Sequence, residues 1–265
     1  MKLLRHFGFE RNPFERSTPA NALYRHRGFE EAHSRLLFTI ELAGIAVLLA
    51  EPGCGKSLLL GVLADHLLRN GWVVHYFAHA TVSPFGLVNV LARKVGLSPR
   101  RSRGETALQL CQHVAKDERP YLVIIDEAHK LPDATLEDIR LLTIGDFDRE
   151  SPFLLLLAGQ PLLDQRLAEP NHYALDQRIT TAARLQPLSI DETRQYLKTR
   201  IEYAGAGDQP VFDDASIDAL FDISGGIPRR INNSATASLI VAASRGRRIV
   251  SAQDVNDARL DRGRP

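Results

Sequence analysis

Apolar positions along this chain change rhythm near its final third. Between Ile45 and Leu188, short apolar runs alternate with amphipathic stretches of helical period, the pattern of strands joined by crossover helices in a parallel sheet. Ile45 to Ala50 reads as a buried strand. A helix follows from Gly55 to Arg69 and closes at Asn70-Gly71, where glycine can adopt the left-handed cap. Further strands are expected at Trp72 to Phe77, Tyr121 to Ile125, Phe153 to Leu157 and Ala183 to Leu188. Between them, Phe85, Leu87, Val88, Leu91, Ala92 and Val95 recur at helical spacing, which predicts a helix from Pro84 that stops at Gly96. Glu105 to Lys116 repeats the amphipathic period.

After Leu188 the strand signal ends and helix starts follow one another. Ser189-Ile-Asp-Glu192 matches a capping box, Asp213-Asp214 offers a capping carboxylate, Pro228 suits a first helical turn, and Ser251 to Asp254 opens a last helix. The expected organisation is an α/β core over residues 1–188 and a helical domain over residues 189–265. Residues 1–35, with Asn12-Pro13-Phe14 and Tyr24, are expected to form an ordered lead-in to that core.

Composition narrows the class. A chain of 265 residues, 44% hydrophobic and 25% charged, suits one sizeable core with a small second domain and excludes a disordered or fibrous protein. The longest apolar stretch before residue 51, Leu36 to Ala50, is interrupted by Glu41 and Gly44, so no membrane helix is expected. The first residues lack the apolar run of a signal peptide, and a cytoplasmic location is expected. Cys54 and Cys111 have no neighbours at zinc-ligand spacing and read as reduced thiols. A net charge of +1 hides local arginine-rich segments. Arg93 to Arg103 carries five basic residues and no acid, and Arg245 to Arg248 and Arg259 to Arg264 repeat the theme. Such patches admit a nucleic-acid partner.

The candidate chemistry begins at Ala50-Glu-Pro-Gly-Cys-Gly-Lys-Ser57, between the first strand and the first helix of the core. A phosphate cradle needs that context: a loop whose N–H groups turn inward, followed by a helix whose positive end faces the phosphates. Glu51, Pro52, Gly53, Cys54, Gly55, Lys56, Ser57 and Leu58 form the expected nucleotide-binding stretch. Lys56 reaches the outer phosphates and the Ser57 hydroxyl ligates magnesium, so ATP and Mg2+ are the expected cofactors. Ala50 stands where the motif usually has glycine, at a strand end that tolerates a small side chain. In Tyr121-Leu-Val-Ile-Ile-Asp-Glu-Ala-His129, Asp126 is expected to hold magnesium through its water shell and Glu127 to orient and polarise the attacking water. His129 is expected to make a structural hydrogen bond. Gln160, after the fourth strand, is placed to sense the outer phosphate. Arg178, with Arg166 as second candidate, is placed to reach a neighbouring subunit's nucleotide. In Gly225-Gly-Ile-Pro-Arg-Arg-Ile-Asn232, Arg229 is preferred over Arg230 as an arginine that swings onto the phosphates.

Taken together, the cradle, Ile-Ile-Asp-Glu-Ala-His, Ala-Gly-Gln-Pro, Asp-Gln-Arg-Ile and Gly-Gly-Ile-Pro-Arg-Arg-Ile-Asn resemble the ExeA-like AAA+ ATPases, from Phe7-Gly-Phe-Glu-Arg-Asn-Pro-Phe14 to the last helix. The resemblance implies a P-loop AAA+ parallel-sheet core with a C-terminal α-helical lid. It also implies homo-oligomers, as a ring or helical filament, with each nucleotide between subunits, and it brings Asn12, Pro13 and Phe14 into the nucleotide-binding set. Two kinds of protein share the pattern. One is a secretion ATPase that continues into a membrane helix and a peptidoglycan-binding segment. The other is a compact regulator of DNA transposition, similar to TniB, TnsC and IstB, which binds ATP, polymerises on duplex DNA and recruits a transposase. Because the sequence ends with the helical lid, the expectation is a transposition regulator, partnered by itself, duplex DNA and a transposase or targeting protein, with no membrane partner. The alternative is a secretion-pathway ATPase acting in envelope assembly. Initiator-like AAA+ proteins turn an insertion between the second and third strands toward duplex DNA. Lys94, Arg100, Arg101 and Arg103 are therefore candidate contacts to phosphates, which hold DNA without reading its sequence.

Overall fold

The computed structural model describes residues 2–15, 19, 22–78, 84–142, 153–206 and 210–261. Its strands are β1 (Ile45–Ala50), β2 (Val73–Phe77), β3 (Tyr121–Ile125), β4 (Leu154–Gly159) and β5 (Ile179–Leu185). Its helices begin with α1 (Lys2–Phe7), α2 (Arg27–Glu41), α3 (Lys56–Arg69), α4 (Pro84–Lys94), α5 (Arg103–Val114) and α6 (Asp133–Leu142). They continue with α7 (Leu162–Leu167), α8 (Tyr173–Asp176), α9 (Ile190–Tyr203), α10 (Asp214–Ser224), α11 (Pro228–Ser244) and α12 (Ala252–Asp261). Contacts gather the chain into two compact units. One comprises Gly28–Pro52 and Lys56–Leu185; the other comprises Met1–Arg27, Gly53–Gly55 and Gln186–Pro265.

The first unit is built on a parallel sheet in the order β2-β3-β4-β1-β5. Every residue of β1, β3 and β4 is buried, which is why these strands read as unbroken apolar runs: helices cover both faces of a parallel sheet. Val47, Leu49, Val123, Ile125, Leu155 and Leu157 meet Leu87 and Leu91 of α4, Leu110 of α5, and Leu136 and Ile139 of α6 in one core. Because all five strands run the same way, the loops after β1, β3 and β4 leave along one edge of the sheet, where α/β proteins place their ligands. The edge strand β5 begins at Ile179, four residues before the expected Ala183, and ends at Leu185 rather than Leu188. Its exposure alternates, so no apolar run announces it, and Pro187 has no N–H with which to extend the ladder. The helix α2 was absent from the sequence reading. Phe29, Ala32, Leu36 and Ile40 are its buried stripe, at helical spacing.

The second unit carries the four helices whose starts were marked by caps. The Ser189 hydroxyl accepts the Glu192 N–H at 3.2 Å, and Glu192 Oε2 accepts the Ser189 N–H at 2.9 Å, a complete capping box. Asp213 Oδ1 accepts the Ser216 N–H at 2.7 Å, and Pro228 occupies the first turn of α11. The Leu188 N–H donates to Gly226 O at 2.9 Å. A Cβ at position 226 would stand 2.0 Å from Leu188 O, so this approach requires glycine. Phe7, Phe9 and Phe14 of the lead-in are buried among Leu197, Ile201, Leu220, Ile231 and Leu239, so the first residues group with these helices. The tail residues 262–264 and the side chain of Arg103 lie outside the described part of the chain. Among the described residues, no helix is long and apolar enough to cross a membrane.

Candidate active site

The loop after β1 is shaped by two glycines. Gly53 and Gly55 have φ of +97° and +100°, values that side chains rarely tolerate, and α3 then begins at Lys56. Glu51 and Pro52 are exposed, Cys54 is buried, and Leu58 is 40% exposed. The Ala50 side chain is buried at the end of β1, which explains why alanine is accommodated there.

The carboxylates follow β3. Asp126 is buried, and its N–H donates to Phe77 O at the end of β2 at 2.9 Å. Its Oδ1 accepts from Lys56 Nζ at 2.5 Å and from the Glu127 N–H at 2.7 Å, while Oδ2 faces the Ser57 hydroxyl at 3.5 Å. These oxygens suit a hard divalent cation, so Ser57 and Asp126 fit the magnesium role expected of them. Glu127 sits in the left-handed region, with φ of 58°, a conformation uncommon outside glycine and concentrated at functional turns. It brings Glu127 Oε1 to 2.6 Å from Lys56 Nζ and Oε2 to 2.8 Å from Lys130 Nζ. Lys130, then Lys56, hold the Glu127 carboxyl down to about 2, favouring the ionised form.

Sequence reasoning missed Tyr76. Its hydroxyl donates to Asp126 Oδ2 at 2.9 Å, and burial, with Asp126 beside it, pushes the phenol up to about 12. The contact depends on the pairing of Tyr76 with Ile124 in the β2–β3 register, which no local motif displays.

The end of β4 is drawn onto the turn that follows Glu127. The Gln160 N–H points to His129 Nδ1 at 3.3 Å, and a Cβ on Gly159 would stand 3.3 Å from the His129 N and 3.0 Å from Leu163. His129 is buried, and burial lowers its imidazole below the ordinary value, so the ring is neutral near neutral pH. Arg166 Nη1 donates to His129 O at 2.8 Å. Its other arm pairs with Asp133, which also meets His172 Nε2 at 3.1 Å. Arg166 is thus tied within its own chain. Arg178 is half-buried in the turn before β5, its N–H on Leu175 O at 3.0 Å.

In the helical unit, the Arg229 N–H donates to Gly53 O at 3.2 Å, and the Arg229 Cβ would lie 2.8 Å from a Cβ at position 53. The Arg229 side chain is exposed. In the lead-in, Asn12 Oδ1 accepts the Phe14 N–H at 3.0 Å, an Asx turn. Buried Arg200 donates to Pro13 O at 2.6 Å and to Glu15 O at 3.0 Å, which anchors Asn12-Pro13-Phe14 on α9. Arg93 and Lys94 in the last turn of α4, and Arg100 and Arg101 in the connection to α5, are exposed and make no ion pair among the described residues. Thr106, fully buried, orders this connection: its hydroxyl accepts the Arg100 N–H at 2.9 Å and donates to Ser102 O at 3.0 Å.

A parallel sheet in this order, with a glycine-rich loop after the strand beside β4 and an Asp-Glu pair after β3, defines a P-loop ATPase of the AAA+ class. Residues 40–167 match the AAA domain family. General secretion pathway protein A of Aeromonas hydrophila is 32% identical over 247 residues, which cover 91% of this chain and 45% of that protein. The chain therefore spans under half the length of that relative. Among solved structures, Cdc6p of Pyrobaculum aerophilum covers 94% of this chain with 70% of its own length matched, at a TM-score of 0.69 and 19% identity. The Aeropyrum pernix ORC1 protein, solved in complex with DNA, covers 92%, with 67% of its own length matched, at a TM-score of 0.63 and 20% identity. The chain is an ATPase of the P-loop AAA+ fold and is similar to general secretion pathway protein A over 91% of its own length.

Proposed function

We propose that the chain is a Mg-ATP-driven switch that assembles on duplex DNA and regulates DNA transposition. The observation that carries this reading is a basic cluster, exposed and unpaired with acids: Arg93 and Lys94 in the last turn of α4, and Arg100 and Arg101 in the connection to α5, where Thr106 fixes the turn. Cations so placed bind phosphates by releasing counterions, independently of sequence. The DNA held by the Aeropyrum protein of the same fold supports it. In this reading, copies of the chain form a ring or filament in the cytoplasm and recruit a transposase or targeting protein.

The chemistry follows from the site. Lys56 leaves its carboxylates for the outer phosphates, and the N–H groups of the Gly53–Gly55 loop and the first turn of α3 cradle the rest. Ser57 and Asp126 would hold magnesium, which would supply positive charge against the phosphates. Glu127, ionised, orients the attacking water, and Gln160 senses the outer phosphate. Arg229, bonded through its backbone to Gly53, is the arginine that turns onto the phosphates, and Arg178 reaches a neighbouring subunit's nucleotide. Arg166, the second candidate for that role, is bound to His129 O and Asp133. Asn12, Pro13 and Phe14, anchored on α9, join the nucleotide-binding set in this reading by resemblance to the ExeA-like ATPases.

A second reading, a secretion-pathway ATPase, is favoured by the 32% identity over 91% of this chain. Retention on duplex DNA, titrated with salt in the presence of ATP, separates the two. ATP-dependent retention that falls steeply with salt is expected. ATP-loaded protein that ignores duplex DNA at low salt overturns the transposition reading and leaves the secretion reading standing.

A further inference from the structure

We propose that His129 is a positioning residue that locks the turn bearing Glu127 onto the strand end bearing Gln160; this rests on the role of Glu127 argued above. The ring is buried between two functional loops that are separated in sequence. Its Nδ1 accepts the Gln160 N–H at 3.3 Å, which places the ring proton on Nε2, and Nε2 stands 3.9 Å from Glu127 Oε2. The donor edge of the ring therefore faces the carboxylate that must orient water, while its acceptor edge holds the strand that must read the outer phosphate.

The backbone around the ring is fixed as well. Arg166 clamps His129 O at 2.8 Å, and a Cβ at position 159 would crowd the His129 N at 3.3 Å, so glycine there permits the close approach of β4. Glu127 itself is held in the left-handed region, a local minimum that the surrounding contacts must maintain. A displacement of Gln160 by the outer phosphate is thus carried through one rigid imidazole to Glu127. A shift on the order of 1 Å in a catalytic carboxylate is enough to change turnover by about a hundredfold.

The test compares His129→Ala, His129→Asn, Glu127→Gln and the double variant for kcat, KM for ATP, affinity for a fluorescent ATP analogue and thermal stability. His129→Ala is expected to lower kcat by tenfold or more while KM, nucleotide affinity and Tm stay close to those of the unaltered chain. His129→Asn, whose amide oxygen occupies the place of Nδ1 and keeps the tie to Gln160, recovers part of that loss. The double variant turns over no more slowly than Glu127→Gln alone, because His129 acts through that carboxylate. Full kcat in His129→Ala beside an inactive Glu127→Gln overturns this inference alone, and so does a loss of kcat that tracks lost affinity or Tm. Full kcat in Glu127→Gln overturns the role of Glu127 itself, and this inference with it.

Discussion

The ammonium of Lys56 stands 2.6 Å from Oε1 of Glu127 and 2.5 Å from Oδ1 of Asp126. The residue suited to the phosphates is thus held by the two carboxylates suited to magnesium and water. Both Lys56 and Asp126 are nearly buried, where an unpaired charge is costly, so the pairing satisfies the site in the state described here. A phosphate brought to Lys56 would have to displace these carboxylates rather than meet a vacant charge.

The pairing of Glu127 with Lys130, and then with Lys56, makes stability depend on acid pH. Glu127 lies at about 2, below its ordinary 4.5. A carboxyl depressed on folding contributes stability above its unfolded value and loses that contribution as pH falls through the folded value. Glu127→Gln is therefore expected to lower the Tm of the nucleotide-free protein above about pH 5, with the difference from the unaltered chain shrinking toward about pH 2. Thermal unfolding across that range checks it; a difference that stays constant with pH contradicts the assignment.

Tyr76 gives a second expectation. Its hydroxyl orients Asp126 Oδ2, the oxygen that also faces Ser57, so Tyr76→Phe removes a donor from the carboxylate proposed to hold magnesium. One hydrogen bond of about 0.5–1.5 kcal/mol corresponds to a roughly two- to tenfold higher magnesium concentration for half-maximal ATP-analogue binding. Magnesium titration of analogue fluorescence measures this. An unchanged midpoint would show that the phenol is not needed.

These residues also mark where the sequence is transparent. Lys56, Ser57, Asp126 and Glu127 are legible because each is fixed by a strand end and a few neighbours in the chain. Ser189 with Glu192 and Asp213 with Ser216 are legible for the same reason, since capping is local chemistry. Tyr76 is opaque because it lies 50 residues from Asp126 and reaches it only through strand register. Arg200 is opaque because an arginine on an amphipathic helix ordinarily faces water, whereas here it is 4% exposed and bound to the carbonyls of Pro13 and Glu15. Phe7, Phe9 and Phe14 are opaque too, since nothing local in the sequence names α9 and α11 as their partners.

Gly226 carries a stability prediction. With φ of +72° and a Cβ position 2.0 Å from Leu188 O, alanine there meets both left-handed strain and a backbone clash that no side-chain rotation relieves. Gly226→Ala is expected to cost about 3 kcal/mol or more in urea unfolding. Gly225→Ala, at φ of +60° but with nothing within 4 Å of its Cβ, is expected to cost about 1 kcal/mol, the strain alone. Equal losses at the two positions would show that the close approach to Leu188 is not what selects glycine.

The basic connection between α4 and α5 can be counted electrostatically. Each cation that neutralises a phosphate of duplex DNA contributes about −0.9 to the slope of log affinity against log salt. If Lys94, Arg100 and Arg101 each meet a phosphate, replacing them one at a time with alanine makes the slope shallower by about one per substitution, and weakens binding alike on every sequence. Thr106→Val offers the complementary case. It keeps every charge but removes the hydroxyl that fixes Arg100 and Ser102, so affinity at low salt should fall while the slope changes little. Filter-binding titrations of the ATP-loaded protein on two unrelated duplexes resolve both effects. A slope that does not respond to the three substitutions places the DNA contacts elsewhere and leaves this turn as a solvated charge cluster.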